Sequence, residues 1–210
     1  MILEFVTTGL FETNAYLVGC EKTHMAGIID PAPGSYELLH PLLKKHDLKL
    51  QGIYLTHSHI DHIADAHLFQ QDGIPIYVHP LDKENLLHPG SDGIPNILDV
   101  VGATPTGFLQ EGESFSIGEI TFQILFTPGH SPGSVSFYSA KEDILFTGDL
   151  LFCSAHGRTD FPSSSAQALY RSLREVMKLP DSCRVFAGHG DDTTIGAEKK
   201  WVMRLCRQKD

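Results

Sequence analysis

The sequence predicts an α/β protein of four layers: two β-sheets packed face to face, with helices on their outer sides. Two observations predict it. Each half of the chain carries several short β-like runs, and each half follows them with helix and then strand. A third is the lack of any low-complexity tract, linker or fixed-period repeat, which places residues 1–210 in one domain.

The elements follow in order. Runs at 2–7, 15–18 and 27–29, the last ending at Asp30-Pro31, read as a meander with Gly and Pro at its turns. Ser35 is placed to cap a helix whose Leu38, Leu39, Leu42 and Leu43 fall at helical spacing, ending before Asp47. Residues 52–56 form a short buried-type strand. A helix over 61–71 follows, stopped by Gly73-Ile74-Pro75 before a strand at 76–78. The stretch 88–107, rich in Pro and Gly, reads as a long loop that could cover a cleft. Strands return at 114–117, 120–126, 134–138 and 144–146. A helix at 165–178 carries Leu169, Leu173, Val176 and Met177 on one stripe; a strand at 184–187 and a helix at 194–207 close the chain.

Composition removes several function classes. Hydrophobic content of 41% with 20% charged residues is globular. Sixteen Lys+Arg against 26 Asp+Glu, a net charge of −10, argue against nucleic acid as a partner. No apolar run is long enough to span a membrane. The start, Met1-Ile2-Leu3-Glu4-Phe5, lacks the basic and apolar regions of a secretory signal. Cys20, Cys153, Cys183 and Cys206 are far apart, the pattern of reduced thiols in a cytoplasmic chain. The unusual number is 12 His, and histidine is the commonest metal ligand.

The run Thr56-His57-Ser58-His59-Ile60-Asp61-His62 follows a strand. In extended chain residues i and i+2 point the same way, so His57 and His59 can reach one point. Asp61 and His62, where the chain turns into helix, can serve a second point nearby. An isolated His-x-His would read as surface loop, with Asp61 a helix cap; three histidines and an aspartate within six residues read as a metal site. His130, Asp149 and His189 each lie at a strand end directly after a glycine that lets backbone crowd close: Gly129, Gly148 and Gly188.

In this order, His57-x-His59-x-Asp61-His62, His130, Asp149 and His189 resemble the metallo-β-lactamase-fold hydrolases. The resemblance covers nearly the whole chain and implies the four-layer αββα sandwich of that fold. It implies two divalent metal ions, one on His57, His59 and His130 and the other on Asp61, His62 and His189, with Asp149 bridging. An N/O donor set suits Zn, with Fe or Mn also permitted. A hydroxide bridging ions about 3.5–4 Å apart would attack an acyl carbonyl, with Asp61 orienting it as the catalytic residue.

Within the family, Thr127-Pro128-Gly129-His130-Ser131-Pro132-Gly133-Ser134 and Gly148-Asp149 are most similar to the glyoxalase II-like, hydroxyacylglutathione hydrolase-like branch. That implies cleavage of a small-molecule acyl thioester. Two features depart from glyoxalase II. Only 20 residues, 191–210, follow Gly190, where that enzyme adds a glutathione-binding helical domain. Gly190-Asp191 also stand where it tends to carry Glu-Tyr. Gly157-Arg158-Thr159-Asp160-Phe161 is also similar to persulfide dioxygenases, in which the counterparts of His57, His130 and Asp149 hold a single Fe(II). Gly188-His189-Gly190 and Thr193-Thr194-Ile195-Gly196 favour the two-metal hydrolase.

The remaining candidates carry less. Arg158 could bind a substrate carboxylate at the cleft mouth, or pair internally with Asp160. His24, His40 and His46 read as surface residues, and His67 as packed or exposed helix. His79 could buttress the metals, while His88 and His156 sit in loops that could border the cleft. Cys153, with no dedicated base, reads as a bystander.

Overall fold

A computed structural model describes residues 1–208. One six-stranded sheet runs in the order β1 (Ile2–Thr8), β2 (Thr13–Gly19), β3 (Met25–Ile29), β4 (Lys49–Tyr54), β5 (Ile76–Val78), β6 (Gly107–Phe108). The first three strands are antiparallel, as the meander predicts, and β3 to β6 are parallel. The second sheet contains β7 (Ser114–Ile117), β8 (Ile120–Phe126), β9 (Val135–Ser139), β10 (Ile144–Gly148), β13 (Arg184–Ala187) and β14 (Thr193–Thr194). Its order is β14-β13-β10-β9-β8-β7. A two-stranded ribbon, β11 (Leu151–Phe152) with β12 (Ala155–His156), stands beside it.

The helices lie outside. α1 (Ser35–Lys45), α2 (Ile60–Ile63), α3 (Ala66–Gln71) and α4 (Lys83–Leu87) belong to the first half, α5 (Ala166–Val176) and α6 (Ile195–Gln208) to the second. The layering follows from the period of two in a strand. β2 is buried on both faces: Ala15 and Leu17 pack with Leu39, Leu43 and Phe69 of the helices, while Tyr16 and Val18 pack with Phe122, Phe137 and Phe146 of the other sheet. A third cluster seats Leu169, Leu173, Val202 and Cys206 of α5 and α6 against Leu145 and Val185. The predicted four-layer α/β sandwich is therefore present. Cys20, Cys183 and Cys206 are buried and Cys153 is exposed. No helix among the described residues is long and apolar enough to cross a membrane.

Several local expectations differ. Ser35 is the first helical residue and not the cap; the cap position is Gly34 in a left-handed conformation, with no side-chain bond. The orphan donor is satisfied from elsewhere, Asp65 Oδ2 accepting from Tyr36 N at 2.8 Å. That recruitment coincides with the break of the helix predicted over 61–71 into α2 and α3, where Asp65 N also donates to Pro31 O. Ser165 does cap its helix, accepting from Ala168 N.

The two sheets meet at one end. Asn14 N donates to Gly188 O at 2.8 Å, and Tyr16 Oη donates to Ala187 O at 2.6 Å. The segments leaving β4, β8, β10 and β13 converge there, at the carboxyl ends of those strands.

Candidate metal centre

All seven residues singled out by sequence come together at this junction. Donor atoms of His57, His59 and His130 lie within 4.8 Å of one another, and so do those of Asp61, His62 and His189. Asp149 spans both groups. Its Oδ1 is 3.3 Å from His62 Nε2; its Oδ2 is 3.2 Å from His130 Nε2 and 3.5 Å from His189 Nε2. Asp61 Oδ2 lies 3.4 Å from His189 Nε2 and accepts from Thr13 Oγ1 at 2.7 Å.

The outward ring nitrogens of four of these histidines are tied down. His62 Nδ1 donates to Asp30 Oδ2 at 3.0 Å, and His57 Nδ1 contacts Thr56 Oγ1 at 3.0 Å. His130 Nδ1 donates to Arg158 O, and His189 Nδ1 to Phe11 O. Such bonds fix tautomer and ring orientation, as for metal-ligating histidines generally. The inward atoms are the reverse. Buried Nε2 atoms of His57, His59, His62 and His130, and Asp149 Oδ1, have no hydrogen-bond partner. Orphaned buried donors and acceptors are costly; five in one spot are the signature of a cluster built around divalent cations, which this N/O donor set fits.

Electrostatics agree. Burial, reinforced by neighbouring His62 and His59, holds His57 well below the usual imidazole range. Burial and then His130 push His59 down to about 3. Both therefore present neutral nitrogens at pH 7. Across Asp149 the balance reverses. Burial opposes charge on His62, yet Asp61 and Asp149 raise it well above its ordinary value. Burial likewise opposes charge on His189, and bonds to Asp149 and Asp61 lift it to about 9. Burial would raise both carboxyls, but His62 outweighs it: Asp61 falls to about 2 and Asp149 well below the carboxylate range. The Asp61 and Asp149 carboxylates thus favour positive charge at the point where His62 and His189 face them.

Two buried aspartates hold the framework. Asp30, left-handed at φ 52, ends β3 and turns its carboxylate back. Oδ1 accepts from Thr56 N at 2.7 Å, and Oδ2 from Thr56 Oγ1 at 2.6 Å and from His62. Asp30 also lies near His57 and His62 as a geometric triplet; with its oxygens engaged this way, it orients those rings. Asp82 clamps two ligand loops, accepting from Ser58 N, Ser131 Oγ and Gly133 N at 2.7–2.9 Å. The glycines before ligands are required by close approach. A Cβ at Gly188 would stand 2.3 Å from Asp149 Oδ1, and one at Gly148 (φ 50) 2.3 Å from Thr56 Oγ1.

The other candidates separate. Arg158 makes a two-pronged pair with Asp160 at 2.6 Å and lies over the Phe161 ring, while lining the cleft. His156 borders the cleft too. His79 stacks on Phe126 and accepts from Leu81 N, so it buttresses a turn and not a ligand. His88 is exposed beside Glu84, and Cys153 is exposed.

The family model for the metallo-β-lactamase superfamily matches residues 8–189. The chain belongs to that superfamily. Among curated relatives, hydroxyacylglutathione hydrolase GloC of Haemophilus influenzae is 37% identical over 207 residues, covering 95% of this chain and 96% of that one. Among solved structures, TTHA1623 in a di-iron-bound form is 37% identical, covering 94% of this chain and 97% of its own, with a TM-score of 0.80. ETHE1 from Myxococcus xanthus is 30% identical, covering 99% and 85%, with a TM-score of 0.81. The superfamily and the His/Asp clusters together make this a metal-binding hydrolase-type enzyme.

Proposed function

We propose that the protein hydrolyses small acyl thioesters at a centre of two divalent ions, on the pattern of a hydroxyacylglutathione hydrolase. One observation carries the reading: Asp149 joins two complete donor clusters, one oxygen facing His62 and the other facing His130 and His189. The relative named for hydroxyacylglutathione hydrolysis supports the substrate class, and the di-iron neighbour supports two ions. Zn suits the donor set, and Fe or Mn is accommodated equally.

When bound, such ions supply an activated water at neutral pH and polarise the carbonyl. The chain does the rest. His57, His59 and His130 would hold one ion, Asp61, His62 and His189 the other. Thr13 fixes the Asp61 carboxylate, whose oxygen is placed to orient the attacking water. Water adds to the acyl carbon and the C–S bond breaks, its electron pair leaving on sulfur. One water proton ends on the thiol, and the other is released as the acid ionises. A thiolate leaves readily, so no strong general acid is required of the site.

Oxidation of a persulfide at one Fe(II) on His57, His130 and Asp149 is the second reading. The likeness to ETHE1 is what keeps it; Gly188-His189-Gly190 followed by Thr193-Thr194-Ile195-Gly196 favours hydrolysis. Thiol release from S-lactoylglutathione and simple thioesters, run beside oxygen uptake with glutathione persulfide, separates them. His189→Ala abolishes turnover under the hydrolase reading. Oxygen uptake by the wild type, undiminished in His189→Ala, would overturn it.

A further inference from the structure

The walls of the cleft, and not the metal cluster, point to the substrate. A cavity of about 500 Å³ opens over the ligands, within the usual range for small-molecule sites. Three segments wall it with apolar side chains: Phe11 before β2, Ile94, Pro95 and Ile97 from the loop after α4, and Phe152 and Phe161 beyond Asp149. These walls reach the reacting centre. The Phe161 ring meets His59 edge-on at 5.3 Å and His130 at 5.7 Å, and the Phe152 ring meets His189 at 5.9 Å. Toward solvent they stay bare, with Ile97 63% and Phe11 43% exposed. So much exposed large apolar surface around one mouth marks a binding surface.

Charge is missing where a charged carrier would need it. Among the described residues, Arg158 is the one Lys or Arg lining the cavity. Its Nε and Nη2 donate to the two oxygens of Asp160, and its Cζ lies over the Phe161 ring, 4.4 Å from the centroid. The carboxylates of a glutathione carrier would face apolar side chains or a cation already paired with Asp160, and desolvating a charge without a partner is costly. A two- or three-carbon hydroxyacyl group would leave most of the cavity unfilled.

Resting on the thioester reading above, we propose that the enzyme's substrates are thioesters of apolar acyl groups, aliphatic chains of about four to six carbons or their aromatic equivalents. The acyl chain lies between the Phe152 and Phe161 sides of the cleft, against Ile94 and Ile97. Hydroxyacyl-glutathione is then a poor substrate.

The test uses the metal-replete protein and N-acetylcysteamine thioesters of acetyl, butyryl and hexanoyl groups, with S-lactoylglutathione alongside, following thiol release. Burial of a methylene gives at most about fourfold, so kcat/KM should rise about two- to fourfold per added methylene, with hexanoyl at least about 16-fold above acetyl. Ile97→Ser, at a largely exposed side chain that the fold does not need, should lower the hexanoyl-to-acetyl ratio severalfold. A flat or falling chain-length profile with S-lactoylglutathione preferred overturns this inference and leaves thioester hydrolysis standing. Failure to turn over any thioester overturns both.

Discussion

Asp30→Asn is the most revealing single change, because it alters charge and hydrogen-bond polarity without altering size or backbone. Asn tolerates the left-handed φ of 52 nearly as well as Asp, so strain is not introduced. The buried Asp30 carboxylate accepts three bonds, two from Thr56 and one from His62 Nδ1. An amide can satisfy only part of this set. With its oxygen toward Thr56 Oγ1 and His62, the NH₂ faces the Thr56 N–H, donor against donor. Turned the other way, the NH₂ faces His62 Nδ1 and drives the ring proton onto Nε2, the nitrogen that faces Asp61 and Asp149. The first arrangement leaves a buried donor unpaired, about 1–3 kcal/mol of stability. The second costs about 10–100-fold in metal affinity, which is about 1.4–2.7 kcal/mol. Denaturant unfolding of the metal-free protein and chelator competition for the bound metal measure the two. The variant must lose in at least one. Wild-type stability together with wild-type affinity would refute the assignment of Asp30 as the residue that orients His62.

Gly188→Ala places a methyl 2.3 Å from Asp149 Oδ1 and 2.6 Å from His62 Cε1. Displacing the joining carboxylate by about an ångström should cost roughly 100-fold in turnover, read by steady-state kinetics on the metal-replete variant; unchanged turnover would count against Asp149 as the joint. Stability of the metal-free protein should peak near pH 6.5. His57 and His59 sit below their unfolded value, so their contribution is full above it and is lost as pH falls, at about 1.4 kcal/mol per unit for each ring. His62 and His189 sit above it, so theirs is full below it and is lost as pH rises toward about 9 and beyond. Thermal unfolding across pH 5–9 without metal checks this; a curve that climbs steadily through pH 8 would contradict it.

The layers and the ligands were legible in the sequence for related reasons. The apolar run of β2 announces a strand buried on both faces and the alternation of β8 one buried on a single face, and ligand-bearing segments stand directly after β4, β8, β10 and β13. Elements of two residues, such as β6, β11, β12 and β14, carry no periodicity and exist only because a neighbouring strand holds them. The break between α2 and α3 follows from Asp65 being drawn to Tyr36, 29 positions away. The supporting aspartates were hidden for the same reason. Asp30 showed itself only as a strand end, and its partner Thr56 lies 26 positions on. Asp82 reaches Ser131 across 49 positions, and nothing in its local sequence sets it apart from a turn aspartate. Arg158 shows the converse. Its cation and the alternative of a pair with Asp160 could both be read from sequence; the fold shows the pair formed, and only the fold reveals that the Arg158 backbone carbonyl orients His130.

The central claim, two joined metal clusters that work as one, is tested most directly by titrating metal into the stripped protein while following bound metal per chain and thioester hydrolysis together. Two ions should bind per chain, with turnover rising in step with the second. In His189→Ala the stoichiometry should fall toward one and hydrolysis should be lost. Full thioester turnover at a single ion per chain, or at two ions with His189→Ala as active as the wild type, would contradict the account.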